Sequence, residues 1–240
     1  MLILLPPSET KAPGGERDAM SVSFPALDSV RVSLFDDLSA MDVDEMMALL
    51  KIPKTKREEA VENQSLRSGP VMPAIYRYTG VLYDALDPET LPDEAIRRLA
   101  VGSALFGVVR ADDMIPRYRV SASSKVPAAD GSLPTMRARW GSAVSEVLAG
   151  EPFVVDMRSG AYEKLGPVDG AVTVRVESVA PDGSRKVVSH FNKHYKGLLA
   201  RALARGPEVA SIDEVAEVAR AAGYVVEVNG LVLTLVVEGT

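Results

Sequence analysis

The sequence predicts an α/β protein with a mixed sheet and flanking helices, and three observations carry that expectation. Short continuous apolar runs stand at Leu2 to Leu5, Ala104 to Val109 and Phe153 to Val155, the pattern of strands buried on both faces. Between them lie amphipathic segments opened by proline or capping residues, which read as helices. Two stretches near the C-terminus alternate with period two around turn residues, which reads as hairpins. The 240 residues are expected to form a single domain over 1–240, with a helix-turn-helix-like insertion near 42–66 and a C-terminal helix plus β-hairpin at 211–237.

Taken in order, Leu2 to Leu5 forms the first strand and stops at Pro6-Pro7. Ser8-Glu9-Thr10-Lys11 then reads as a strand exit held by prolines, with an anion-binding loop as the alternative. No Walker or dinucleotide-binding glycine pattern is present. From Asp42 to Leu66 the pattern is helix, break, helix, the second opened by Thr55-x-x-Glu58 as a capping box. Lys51, Lys54, Lys56 and Arg57 cluster at the junction, which reads as a solvated turn between packed helices. A helix follows Pro73, and a second follows Pro92 with Ile96, Leu99 and Ala100 as its buried stripe. The apolar segment Ala104 to Val109 runs into Arg110-Ala111-Asp112-Asp113, and Val120 to Ser124 alternates as a strand leaving that loop.

Pro134 to Leu148 reads as a helix carrying the only tryptophan, Trp140, and Phe153 to Val155 as a strand ending in Asp156-Met157-Arg158-Ser159. If the three apolar strands run the same way, their polar ends share one rim, where open α/β sheets bind ligands. Val172 to Val179 and Lys186 to Phe191 form a hairpin, followed by a helix from Asn192 to Arg205. Opposite its apolar face lie Lys193, Lys196, Gly197, Ala200 and Arg201, where small residues between cations admit a phosphate or another backbone. Ser211-x-x-Glu214 caps the last helix, and Asn229-Gly230 predicts a type I′ hairpin turn.

Charged residues make up 25% of the chain and apolar ones 47%, enough for a sizeable core. A net charge of −6 and a pI of about 5.1 disfavour general nucleic-acid binding unless basic groups are segregated. With no cysteine, disulfides, thiolate metal sites and cysteine nucleophiles are excluded. No membrane span or signal segment is expected, so the protein reads as cytoplasmic, without a membrane partner. His190 and His194 are four apart but straddle a strand–helix junction with no completing carboxylate, so neither a metal nor another cofactor is expected. Asp112 and Asp113 point apart in an extended chain and make a poor acid/base pair; Asp113 is expected to orient an arginine.

The sequence also resembles the bacterial YaaA proteins, known as peroxide-stress proteins. The match runs nearly end to end, through Met1-Leu2-Ile3-Leu4 with Pro7 and Thr10, Gly80 with Tyr83, and Phe106-Gly107-Val108 with Arg110, Asp113, Tyr118 and Arg119. It continues through Trp140-Gly141, Asp156 with Ser159 and Tyr162, and Lys193-x-x-Lys196-Gly197-Leu198 with Arg201. The resemblance implies a cantaloupe-like α/β fold with a helix-hairpin-helix element, a positively charged cleft, DNA binding and protection from peroxide with lower free iron. The chain departs from that pattern at Glu9, where the stress proteins carry lysine and Lys11 can substitute, and at Thr79. It also lacks glycine in the hairpin.

Two functions follow. In the first, DNA or another phosphate-bearing ligand binds a basic cleft; Ser8, Thr10, Lys11, Arg110, Arg119, Ser159, Lys196 and Arg201 are its candidate contacts. In the second, the protein is an enzyme on a small anionic or nucleobase-like substrate, with Tyr118 stacking or donating and Asp156 or Lys193 moving protons. Lys193 and Lys196, one helical turn apart, are the candidates for a lysine base or Schiff-base amine if partly buried. The sequence leaves the oligomeric state open, and direct iron sequestration finds few ligands in it.

Overall fold

A computed structural model describes residues 1–16, 18–179, 185–187 and 192–238. Its centre is a mixed sheet in the order β4-β3-β1-β6-β7-β10-β9, with β8 added against β7. The strands are β1 (Leu2–Leu5), β3 (Leu99–Ser103), β4 (Gly107–Arg110), β6 (Val154–Asp156), β7 (Val172–Val179), β8 (Arg185–Val187), β9 (Val225–Asn229) and β10 (Val232–Glu238). A separate two-stranded ladder joins β2 (Val71–Pro73) to β5 (Met114–Pro116). β1 pairs in parallel with β3 on one side and β6 on the other, and all four of its side chains are buried. Parallel pairing continues through β7 to β10, while the edge pairs β3–β4 and β10–β9 are antiparallel.

That antiparallel edge corrects the expected common rim. β1 and β6 do run the same way and end together, but β4 runs against β3, and Arg110 pairs with Ala100. Arg110 therefore sits at the opposite end of the sheet from the loop after β1. The apolar run also divides differently: Leu99 and Ala100 belong to β3 rather than to a helix, and Ala104 to Phe106 form the tight turn into β4. Gly107 makes this turn possible, since its φ is +74° and an added Cβ would lie 3.0 Å from Trp140 and from Val144. Val120 to Ser124 is not a strand; it folds into a turn closed by Ser124 N–H donating to the Ser121 carbonyl at 2.9 Å.

Ten α-helices cover the described chain: α1 (Asp28–Ala40), α2 (Val43–Leu49), α3 (Arg57–Gln64), α4 (Ala74–Arg77), α5 (Val81–Leu86), α6 (Asp93–Ile96), α7 (Met136–Trp140), α8 (Ala143–Ala149), α9 (Asn192–Arg205) and α10 (Ile212–Ala221). α1 has no counterpart in the sequence reading. Asp42 caps α2 by accepting from the Asp44 and Glu45 amides, whereas Thr55 lies inside a short 3₁₀ turn and α3 begins without a side-chain cap. The expected capping box at Thr55 is thus not formed. Ser211 does cap α10, accepting from the Glu214 amide at 3.3 Å. In the last hairpin Asn229 pairs with Val232, so the loop is Gly230-Leu231. Only Gly230 has positive φ there, +57°, which suits a type II′ turn and replaces the expected type I′ turn at Asn229-Gly230.

α9 is buried on two sides. Leu199 and Leu203 face the core, while Lys196, Gly197 and Ala200 are also buried. An added Cβ at Gly197 would lie 2.2 Å from the Leu82 carbonyl oxygen and 2.8 Å from Ala85 Cβ, so the small residues of this face admit the backbone of α5. No described helix is long and apolar enough to cross a membrane. Gly197→Ala should destabilise the fold by about 1 to 3 kcal/mol, the usual cost of overpacking, measured by urea denaturation. An unchanged midpoint would show that α5 and α9 are not in this contact.

Candidate functional site: a lysine-floored cavity at the ends of the parallel strands

The end of β1 opens into a cavity of about 440 Å³. Its wall is built by Pro7, Ser8, Glu9 and Lys11 after β1, Leu49 to Lys51 at the end of α2, and Arg119 to Ser121 with Ser123 and Ser124 after β5. Tyr162 and Lys193 complete it. The carboxyl ends of parallel strands are the expected location, because the loops leaving them diverge and leave a crevice.

Lys11 is the chemically unusual group here. It is 7% exposed, and its Nζ donates to the Ser8 carbonyl at 3.0 Å. The amine lies 4.2 Å from the Tyr118 ring centroid and 5.4 Å from that of Tyr78. Among the described residues it forms no ion pair. Burial pulls its pKa down to about 7, with Arg119 and Arg117 pushing the same way and Glu59 and Glu9 opposing. The tyrosine floor is itself fixed: the Tyr118 hydroxyl bonds that of Tyr78 at 2.8 Å and Ser103 Oγ at 2.7 Å. Burial holds both phenols well above the ordinary range, so at neutral pH they stay protonated.

The segment carrying Lys11 is pinned on both sides. Ser8 Oγ accepts from the Thr79 amide at 3.0 Å, and the Thr79 hydroxyl bonds Thr10. The Ala12 amide donates to the Arg77 carbonyl, and the buried Arg77 guanidinium donates back to the Ala12 and Gly14 carbonyls at 2.6 and 3.0 Å. At the cavity rim Arg119 pairs with Glu9 and reaches Glu59 at 3.6 Å, while its backbone is held by Asn63 at 2.8 Å.

Of the candidates read from the sequence, Ser8, Lys11, Arg119 and Lys193 line this cavity, and Tyr118 underlies Lys11. Thr10 lies in the same loop and is exposed. Lys196 is buried outside the lining, donating to the Met157 carbonyl at 2.9 Å, and burial lowers its pKa to about 8. Lys193 is exposed, so the burial that the Schiff-base reading requires belongs to Lys11 and Lys196 instead. Asp156 is committed to Arg158, which reaches its two oxygens at 2.8 and 3.0 Å. Ser159 is exposed and outside the lining.

The remaining candidates are placed elsewhere. Arg201 donates to the carbonyls of Leu86 and Asp87 and to Thr90, tying α9 to the end of α5. Arg110 pairs with Glu151 and covers the Phe24 ring. Asp113 does not orient an arginine side chain; it accepts from the Arg110 and Ser23 amides and from Ser23 Oγ. His190 lies outside the described residues, and among those described no cluster of three or more metal-ligating side chains occurs.

The sequence reading assigned no site role to Lys51, the serine cluster or Tyr162. Lys51 reaches the wall because the chain turns with φ of +55° there, a conformation with no sequence mark. Ser121 and Ser124 are linked at 3.1 Å, and the run Ser121-Ala122-Ser123-Ser124 was its own signal, disguised by weak alternation.

A family model described as peroxide stress protein YaaA matches residues 1–229. The chain belongs to the YaaA family. A UPF0246 protein of Corynebacterium efficiens is 58% identical over 95% of this chain and 96% of its own length. One from Corynebacterium glutamicum is 56% identical over the same shares, and one from Streptomyces coelicolor is 40% identical over 95% of this chain and 92% of its own.

The depressed pKa makes Lys11 a pH-dependent cost to this YaaA-family fold. Below pH 7 the ammonium is held in a buried site. As the pH rises through 7 the folded chain releases a proton that the unfolded chain keeps until above 10, so stability rises across that window. Lys11→Met should therefore gain stability relative to wild type at about pH 6 and lose about 2 to 3 kcal/mol of that advantage by about pH 9. Denaturant melts of both proteins at the two pH values test this, and a pH-independent difference would contradict the neutral amine.

Proposed function

We propose that this chain binds a small molecule bearing a carboxylate or phosphate in the cavity beside Lys11, and that this binding underlies its part in the peroxide-stress response for which its family is described. The observation that carries the reading is a buried amine in a cavity also lined by Arg119, Lys51 and Lys193, with Glu9 the one carboxylate in the wall among the described residues. At about 440 Å³ the space is of small-ligand size. Arg119 supplies a forked donor suited to an oxyanion, and Ser121, Ser123 and Tyr162 supply neutral hydroxyls. Glu9 occupies Arg119 in the absence of ligand and would be displaced by the incoming anion.

A duplex-binding groove draws less support. Lys196 and Arg201, two cations expected to face DNA, are spent on internal carbonyls, and Arg110 lies at the far end of the sheet. The chain also carries a net charge of −6.

Calorimetric titration with inorganic phosphate, adenosine 5′-monophosphate and pyruvate, beside a short DNA duplex, tests the reading. At least one small anion should bind saturably, and Arg119→Ala should weaken it about 10-fold or more, as expected for loss of a charge-assisted contact. Glu9→Gln should tighten it. Binding confined to the duplex, with affinity falling steeply as salt rises, would replace this reading with the nucleic-acid one.

A further inference from the structure

We infer that the Lys11 amine is an imine-forming nucleophile, and that the ligand class of the cavity is a small aldehyde or ketone carrying its anionic group close to the carbonyl. The inference rests on the anion-binding reading above and names the chemistry of the same site. Four features of the geometry support it. Lys11 lines the cavity yet lacks a carboxylate partner among the described residues, so nothing there commits its amine to a permanent ammonium. Among the described residues its one hydrogen bond runs to the Ser8 carbonyl, which orients the nitrogen. The two tyrosine rings beneath it exclude water from one side. Arg119, Lys51 and Lys193 come from three other segments and can hold an anion while a carbonyl meets the amine.

Lys196 provides the contrast. It is equally buried, but it lies outside the lining and its Nζ donates to the Met157 and Arg158 carbonyls. Burial alone marks a structural lysine there, and only Lys11 joins burial to access.

The step balances without an oxidant or reductant. The Lys11 nitrogen lone pair adds to the carbonyl carbon, and the C–O π pair moves to oxygen, which takes up a proton as nitrogen releases one. The carbinolamine then loses its hydroxyl as water with the second nitrogen proton, leaving a C=N bond. Tyr162 lines the same cavity; its oxygen accepts from the Ala122 amide at 3.3 Å and, among the described residues, its own proton is donated to none, which leaves the hydroxyl available to relay a proton. Burial is the main reason the amine loses its proton near neutral pH; Arg119 and Arg117 add to that effect, and Glu59 and Glu9 oppose it.

The test is reductive trapping of the full-length protein with pyruvate or glyoxylate in one arm and glyceraldehyde 3-phosphate in the other, each with cyanoborohydride. Intact mass and peptide mapping read the product. At neutral pH about half of Lys11 would be neutral, against about one in 10³ of surface lysines, so a single early adduct should map to Lys11. The favoured arm identifies the anionic group as carboxylate or phosphate. Lys11→Arg should abolish the adduct, and the exposed Lys164→Arg should leave it unchanged. Mapping of wild-type protein decides the question even if Lys11→Arg fails to fold. Adducts spread over surface lysines with none favoured at Lys11 would overturn the inference. If pyruvate or phosphate still binds in an Arg119-dependent way, that outcome leaves the anion site standing; if neither binds, both readings fall together.

Discussion

A guanidinium without solvent contact holds the site together. Arg77 is fully buried, and it donates to the carbonyls of Ala12, Gly14, Pro70 and Ile115. Those acceptors belong to the loop after β1, the approach to β2, and β5. Burying the ion is costly enough to lower its pKa to about 10, yet it remains charged at neutral pH and its donors are taken up by four carbonyls. Through the Ala12 and Gly14 contacts Arg77 sets where the preceding residue, Lys11, can stand. The cavity amine is thus positioned by a cation on another element rather than by an opposing carboxylate. This arrangement keeps Lys11 buried without a counter-ion among the described residues, and burial of that kind lowers a lysine's pKa.

The acidic groups around the cavity are apportioned in a consistent way. Glu59 is buried and pairs with Arg117 at 3.1 Å, Lys56 at 3.6 Å and Arg119 at 3.6 Å. Glu9 is largely exposed and reaches across to Arg119. The buried carboxylate therefore fixes the arginines from behind, and the exposed one covers the face that a ligand would use. A buried partner is expensive to remove, whereas an exposed ion pair is worth little, so the Glu9 contact is the one that can exchange.

Much of the frame is legible in the sequence because burial on both faces favours short continuous apolar runs. Leu2 to Leu5 and Phe153 to Val155 were read from that pattern and do lie side by side. Strand direction has no such mark, and Arg110 was assigned to the wrong end of the sheet because β4 is antiparallel to β3. Leu99 and Ala100 fit a helical stripe and a buried strand equally well, and neighbouring β1 decides between them. Around the site, charge was visible but commitment was not. Lys196, Arg201 and Asp156 look like functional groups in the sequence, yet each is occupied by a carbonyl or a guanidinium brought from elsewhere.

Lys11 and Lys193 differ in the surroundings they give the same amine. Both line the cavity, and both carry the same amine. Lys193 stands exposed at the start of α9, at the cavity wall and open to solvent. Lys11 is closed off by Tyr78 and Tyr118, whose hydroxyls are tied to each other and to Ser103 and so cannot turn to solvate it. Its aromatic faces give weak attraction to a cation but replace far less hydration than burial removes. Two lysines in one pocket thus differ in their surroundings, the exposed one free to meet a negative charge and the buried one held against aromatic rings. A carbonyl compound with an adjacent anion is the ligand that would use both.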